Sequence, residues 1–125
     1  MEITHRALAE VVVVAPTGRL DYVAAGDFER TLMPLLEPAA GSGAGVVVDL
    51  GGVDYISSVG LRVLMIATKA VRGRGARFAV AVLQPTVKEI LAISRFNGVV
   101  EIFPTVDEAL SAISPAAAAI YRAER

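Results

Sequence analysis

The sequence predicts a single α/β domain built around a partly parallel β-sheet. A valine-rich segment at 46–50 has the near-continuous apolar pattern of a strand that is covered on both faces. Residues 2–7 and 10–15 have the pattern of two short strands, and their short separation is typical of a hairpin. Strand and helix patterns then alternate, and this alternation favours parallel strands joined by helices. We therefore expect a mixed sheet of about five strands with about four helices.

The first half of the chain begins with the hairpin and continues into a helix. Consecutive valines at 11–14 form its stronger strand, and Pro16 is expected to end that strand because proline cannot donate a ladder hydrogen bond. Residues 17–21 form a predicted loop. Pro34 is expected to bend or interrupt the helix that follows. The apolar residues that recur at helical spacing in this helix are Ala24, Phe28, Leu32, Leu35 and Leu36.

The second half of the chain contains the central strand, which runs through a short loop into a helix that we expect at about 59–72. Glycines at 73–75 end this helix, and a buried strand is predicted at 78–82. A further helix begins at Pro85 and ends near 97–98, before a short strand at 100–103. Thr105 has the form of a capping residue for another helix. The alanine-rich end, 115–125, is predicted to be a helical extension or frayed.

A glycine-rich segment at 39–45 is predicted to be a linker. A phosphate-binding loop follows a strand and opens a helix, whereas this segment precedes a strand. It also lacks the Gly-Lys-Ser/Thr ending of a P-loop. We therefore predict no nucleotide site there.

The composition excludes several functional classes. The 125 residues carry a formal net charge of -1, which argues against direct nucleic-acid binding. There is no cysteine, and the only histidine, His5, lies on a predicted edge strand, so no metal, cofactor or catalytic triad is predicted. No apolar run is long enough to cross a membrane, and the start has no signal-peptide pattern. We therefore expect a cytoplasmic protein without membrane contact.

The central helix has two predicted faces of different character. The face that should pack on the sheet, with Gly60 allowing a close approach to a strand, contains Gly60, Leu64, Ala67 and Val71. The opposite face contains Ser58, Val59, Arg62, Met65, Ile66, Lys69 and Arg72.

Two features of this opposite face allow alternative interpretations. Met65 and Ile66 are either ordinary surface or helix-covered residues, or an apolar docking patch flanked by cations. Ser58 is either an N-cap, worth ~1 kcal/mol to the helix, or a phosphoacceptor. A phosphate there would add about -1.5 to -2 charges beside the positive end of the helix dipole. The fold should tolerate that charge, whereas a bound partner would not.

At this junction the sequence resembles the STAS-domain anti-sigma factor antagonists. The likeness covers roughly residues 9–114, and its segments come in the family's order. Ser57 stands where many members carry Asp, and Val59 replaces a small residue. The segments that carry the resemblance are Gly-Arg-Leu-Asp at 18–21, Val-Val-Asp-Leu at 47–50, the run Val-Asp-Tyr-Ile-Ser-Ser-Val-Gly-Leu-Arg-Val-Leu at 53–64, and Pro-Thr-Val-Lys at 85–88.

The resemblance implies a regulatory protein that binds an anti-sigma factor with a histidine-kinase-like ATPase fold and thereby releases a sigma factor. It implies that this partner phosphorylates one serine at the start of the central helix and that a serine phosphatase reverses the modification. By position the acceptor matches Ser58, with Ser57 as the alternative. Asp21 matches an acidic residue near the family's acceptor. The partner-binding residues are predicted to be Asp21, Ser57, Ser58, Val59, Gly60, Arg62, Met65, Ile66 and Lys69.

Two other hypotheses remain at this point. The same fold serves as a scaffold module in other signalling assemblies or in lipid or anion transporter complexes. An enzyme or nucleotide binder is disfavoured because no base lies near a nucleophile in the sequence pattern and no phosphate loop stands in its proper context. We expect a monomer or a weak dimer.

Overall fold

The computed structural model describes residues 1–42 and 44–124 and confirms the mixed α/β architecture. Helices cover both faces of one six-stranded sheet. The strands are β1 (Glu2–Leu8), β2 (Val11–Leu20), β3 (Gly45–Asp49), β4 (Gly52–Ile56), β5 (Arg77–Ala81) and β6 (Glu101–Phe103). The helices are α1 (Tyr22–Ser42), α2 (Ser58–Arg72), α3 (Pro85–Ile93), α4 (Val106–Ile113) and α5 (Pro115–Ala123), with a short 3₁₀ turn at Phe96–Gly98.

The sheet is organised around β2, which has neighbours along both of its sides. The hairpin is confirmed, since β1 pairs antiparallel with β2 over its whole length. On the other side, β2 pairs in parallel first with β3 and then with β4. Parallel pairing continues from β3 to β5 and from β5 to β6. The segment at 46–50 is therefore a central strand, as predicted.

Both faces of the sheet are buried, which explains the uninterrupted valines of β3. Val46 and Val48 pack with α1, α2 and α3 in the larger core, whereas Val47 packs with α4 and α5 in the smaller one. All three valines are fully buried. The predicted apolar stripe of α1 is confirmed, because Phe28 and Leu32 have no exposed surface.

The strand count differs from the prediction because residues 52–56 form β4 rather than a loop. These residues alternate between exposed and buried positions over only five residues, which is a weak periodic signal. The predicted end of β2 at Pro16 is also wrong, since the strand continues to Leu20. Pro16 lies between the stretch that pairs with β3 and the stretch that pairs with β4. Its missing donor therefore falls where the parallel ladder is already interrupted.

Several helix limits also differ from the prediction. Helix α1 continues through Pro34 to Ser42, so the proline does not interrupt it, and the predicted linker at 39–45 is shorter; its residue 43 lies outside the described residues. Helix α3 ends at Ile93, and the 3₁₀ turn occupies its predicted last residues. Thr105 caps α4 as expected, its hydroxyl accepting a 3.1 Å hydrogen bond from the Glu108 N–H. Helix α5 covers Pro115–Ala123 of the predicted alanine-rich extension.

Candidate functional site

The candidate site lies where two neighbouring parallel strands end and two helices begin. Leu20 at the end of β2 is the register partner of Ile56 at the end of β4. The Ser57 N–H donates a 2.9 Å hydrogen bond to the Leu20 carbonyl. Helix α1 begins two residues after Leu20 and α2 begins two residues after Ile56. The N-termini of α1 and α2 therefore lie side by side. We call the region formed by residues 20–23 and 56–58 the helix mouth.

Each of the two helices is capped by its own side chain at the helix mouth. The Asp21 carboxylate accepts a 2.9 Å hydrogen bond from the Ala24 N–H and caps α1. The Ser57 hydroxyl accepts a 3.1 Å hydrogen bond from the Gly60 N–H and caps α2. The sequence interpretation in which Ser58 is the N-cap is therefore wrong, because Ser57 occupies that position. Both caps are half-buried.

Ser58 is the first residue of α2 and is exposed. Among the residues that the structure describes, its hydroxyl makes no hydrogen bond, and the Gly60 N–H is bonded to Ser57 instead. The hydroxyl is therefore open to solvent at the positive end of α2. A group added to it would not have to displace any bond that stabilises the helix.

Gly60 sets the distance between α2 and β2. It is buried, and a Cβ at this position would stand 2.9 Å from Leu20 Cγ and 3.2 Å from the Leu20 carbonyl oxygen. The predicted close helix–strand approach is confirmed, with Leu20 as its partner. This contact fixes Ser57 and Ser58 against the end of β2.

The remaining predicted residues of α2 do not share one environment. Val59 and Met65 are half-buried and pack against the larger core, which agrees with the helix-covered interpretation of Met65. Ile66 is 36% exposed. Arg62 and Lys69 are exposed. A shallow groove between α1 and α2 is lined by Glu29, Val59, Arg62, Val63 and Ile66.

Two exposed apolar residues at the helix mouth were not predicted from the sequence. Tyr22 and Val23 open α1 and are 78% and 77% exposed. They lie outside the helical spacing of the buried apolar residues of α1. Two apolar residues that do not fit that spacing were the signal in the sequence that could have identified them. One residue before the ends of β2 and β4, the Arg19 guanidinium lies over the Tyr55 ring, 4.3 Å from its centroid. The helix mouth and the residues next to it therefore combine an apolar pair, a free hydroxyl and charged groups of both signs.

His5 is exposed on the edge strand β1, as predicted. No group of three or more His, Asp or Glu side chains able to hold a metal occurs in the described part of the chain. Within residues 1–42 and 44–124, none of the helices has the length and apolar content that a membrane crossing requires.

The clearest electrostatic pair lies away from the helix mouth. Arg77 at the start of β5 donates hydrogen bonds to Glu101 on β6, one of them 3.0 Å long. These bonds lower the pKa of the Glu101 carboxyl and raise the pKa of Arg77, and partial burial opposes both shifts. The pair ties β5 to the edge strand and is structural.

Comparison with known proteins gives a consistent result. Residues 2–109 match the STAS domain family. A candidate anti-sigma factor antagonist from Bordetella bronchiseptica, BtrV, is 42% identical over 62 residues, which are 50% of this chain and 51% of that protein. The match thus spans about half the length of this curated relative.

Two solved structures share the fold over almost their whole length. An anti-sigma factor antagonist from Mycobacterium paratuberculosis is 26% identical, with a TM-score of 0.77 over 90% of this chain and 94% of that chain. A candidate anti-sigma factor antagonist from Thermotoga maritima is 22% identical, with a TM-score of 0.80 over 89% of this chain and 93% of that chain. These likenesses agree with the mixed sheet and the helix order described above.

Proposed function

The chain belongs to the STAS domain family, and on this premise we propose that it is an anti-sigma factor antagonist. It binds an anti-sigma factor that has a histidine-kinase-like ATPase fold, and the sigma factor held by that partner is released. The protein acts by binding in the cytoplasm and is not an enzyme. The names of the relatives and the match to the family support this proposal.

The single observation that carries the mechanism is the exposed hydroxyl of Ser58 at the helix mouth. In the proposed switch, Ser58 Oγ attacks the γ-phosphorus of ATP bound to the partner. The hydroxyl proton is lost to a base of the partner, the bond from the γ-phosphorus to the bridging oxygen breaks, and ADP leaves. A serine phosphatase reverses the modification by hydrolysis.

Ser58 is favoured over Ser57 as the acceptor for a physical reason. The Ser57 hydroxyl is half-buried and bonded to the Gly60 N–H, so a kinase would have to disrupt the cap to reach it. The Ser58 hydroxyl needs no such rearrangement. The phosphate adds about -1.5 to -2 charges, which the positive end of α2 tolerates.

The proposed binding surface is the helix mouth together with the outer side of α2. It keeps the sequence-predicted residues Asp21, Ser58, Val59, Arg62, Ile66 and Lys69, and it gains the exposed pair Tyr22 and Val23. Aromatic residues at the centre of a surface with a charged rim are typical of protein interfaces. A phosphate placed beside this apolar pair must be desolvated when a partner covers it. Each loss of about 1.4 kcal/mol weakens binding tenfold. A desolvation cost of a few kcal/mol therefore separates the phosphorylated chain from the unphosphorylated chain in their affinity for the partner.

Phosphorylation and binding test the proposal directly. The chain is incubated with ATP and the ATPase-fold anti-sigma factor encoded by the same organism, and the modified residue is located by mass spectrometry. We expect phosphate on Ser58 in the wild type and none in Ser58→Ala, whereas Ser57→Ala is still modified. We also expect Ser58→Glu to lose the partner in a binding assay. An unmodified wild-type chain, or equal binding by Ser58→Glu and wild type, contradicts the proposed switch.

A surface variant tests the binding surface separately. Tyr22→Ala should weaken the partner complex without a large change in melting temperature, because the side chain is 78% exposed. Ile93→Ala is the matched control, since Ile93 is 74% exposed on α3 and outside the proposed surface. Equal affinities for the two variants would exclude Tyr22 from the interface.

A further inference from the structure

Arg62 stands one helical turn beyond Ser58 on the same side of α2. Both residues are exposed, and side chains four positions apart on a helix have Cβ atoms about 5–6 Å from each other. In the described part of the chain, Arg62 forms no ion pair and no side-chain hydrogen bond. The helix spacing therefore brings the Arg62 guanidinium within reach of the Ser58 hydroxyl, and among the described residues this guanidinium has no partner of its own.

We propose that Arg62 is the cation that binds the phosphate once Ser58 is phosphorylated. The inference rests on the proposed function, because it concerns the modified form of that same serine. A guanidinium presents a planar pair of N–H donors that matches two phosphate oxygens, and a charge-assisted pair of this kind is stronger than a neutral hydrogen bond. No covalent bond changes in this step, and the Arg62 side chain only reorients.

The other charged groups near the helix mouth do not offer the same contact. Arg19 lies against the Tyr55 ring, which holds its guanidinium over that ring. Asp21 is an acid that already caps α1, so it repels the phosphate. Glu29 lines the groove beside Arg62 from α1 and competes for it, but no ion pair joins them in the described structure. A phosphate dianion attracts Arg62 more strongly than one carboxylate does.

The spacing also makes the contact specific for one serine. Ser58 and Arg62 are four positions apart, whereas Ser57 and Arg62 are five apart and lie on different sides of the helix. Phosphorylation of Ser58 therefore changes two features of the proposed surface at once. It adds negative charge, and it withdraws Arg62 from any acidic group of the anti-sigma factor that had paired with it.

The test measures the second pKa of the phosphate group on residue 58. Phosphoserine is inserted at position 58 during translation by an expanded genetic code, so neither a kinase nor a partner is needed. The second pKa of the phosphate, about 6 for an unperturbed group, is followed by ³¹P NMR titration. We expect the pKa to be about half a unit higher in Arg62→Gln than in the phosphorylated wild type, because Arg62 stabilises the dianion.

Two further variants make the result specific. Arg72→Gln removes the same charge from the exposed side of α2, fourteen residues beyond Ser58, and should leave the phosphate pKa unchanged. Arg62→Lys should retain part of the shift. Equal pKa values in wild type and Arg62→Gln overturn the inference, and so does an equal shift in Arg72→Gln.

A binding measurement separates this inference from the proposed function. In the wild type, the ratio of the Kd values for the phosphorylated and unphosphorylated chains should be at least several-fold larger than in Arg62→Gln. If wild type fails to bind any ATPase-fold anti-sigma factor of its organism, the proposed function fails, but the titration still decides whether Arg62 holds the phosphate. If wild type binds and the two ratios are equal, the role of Arg62 in the switch is refuted while the proposed function stands.

Discussion

Replacing Gly60 with alanine tests whether the close approach of α2 to β2 holds the helix mouth in place. The added Cβ would lie 2.9 Å from Leu20 Cγ and 3.1 Å from Leu20 Cδ2, and Leu20 has no exposed surface into which it can move. Overpacking of this kind costs about 1–3 kcal/mol. Alanine returns up to ~1 kcal/mol through its higher helix propensity. We expect a net loss of about 0.5–2 kcal/mol in the free energy of unfolding.

Urea denaturation followed by circular dichroism measures this loss, and a melting temperature lower by several degrees should accompany it. Gly26→Ala is the matched control, because Gly26 is also inside a helix and its added Cβ would meet only the flexible Arg30 side chain, at 3.4 Å. This control should gain about 0.5–1 kcal/mol. If Gly60→Ala is stabilised as much as Gly26→Ala, the contact with Leu20 does not constrain the helix.

Three other predictions concern stability. Ser57→Ala should lose ~1 kcal/mol of unfolding free energy in urea denaturation, because it removes the cap on the Gly60 N–H; an unchanged value would contradict that role. Arg95→Gly should gain about 0.5 kcal/mol in the same assay, because Arg95 has a φ of 59° just after α3; a loss would show that its side chain matters more than its backbone. The lowered pKa of Glu101 means that its stabilising contribution is present above the unfolded-state pKa of about 4.3 and is lost as the pH falls through the folded-state pKa. Glu101→Gln should therefore lose less stability than wild type as the pH falls below about 5 in acid titrations monitored by circular dichroism, and parallel curves would refute this.

The elements that the sequence predicts well are those whose signal is local. The hairpin, the buried strand β3 and the ends of α2 and α4 follow from valine runs, glycines and capping residues that act over a few positions. Strand β4 was missed because it is short and half of its side chains face solvent. Pro34 was expected to bend or interrupt α1, but the helix continues past it to Ser42, and Leu32 and Leu36 on either side of Pro34 are buried in the larger core.

The candidate site was predicted in position but not in detail. The serine pair at the start of α2 was evident from sequence, yet the assignment of the cap to Ser57 depends on one hydrogen bond that no pattern specifies. The exposure of Tyr22 and Val23 depends on how α1 and α2 begin beside each other. That arrangement follows from the β2–β4 pairing, which the sequence did not reveal.

The pairing pattern of β2 also has a consequence for how the chain folds during synthesis. Within residues 1–42 and 44–124, β1 and β2 are the only paired strands with no helix between them in the chain. Strand β2 must wait for β3 and β4, and β4 ends at Ile56. At about 5–20 residues per second, the ribosome needs on the order of a few seconds to make the chain between Leu20 and Ile56. During that interval the valines of β2 lack their parallel partners, so the nascent chain is expected to be a chaperone substrate until β4 has been made.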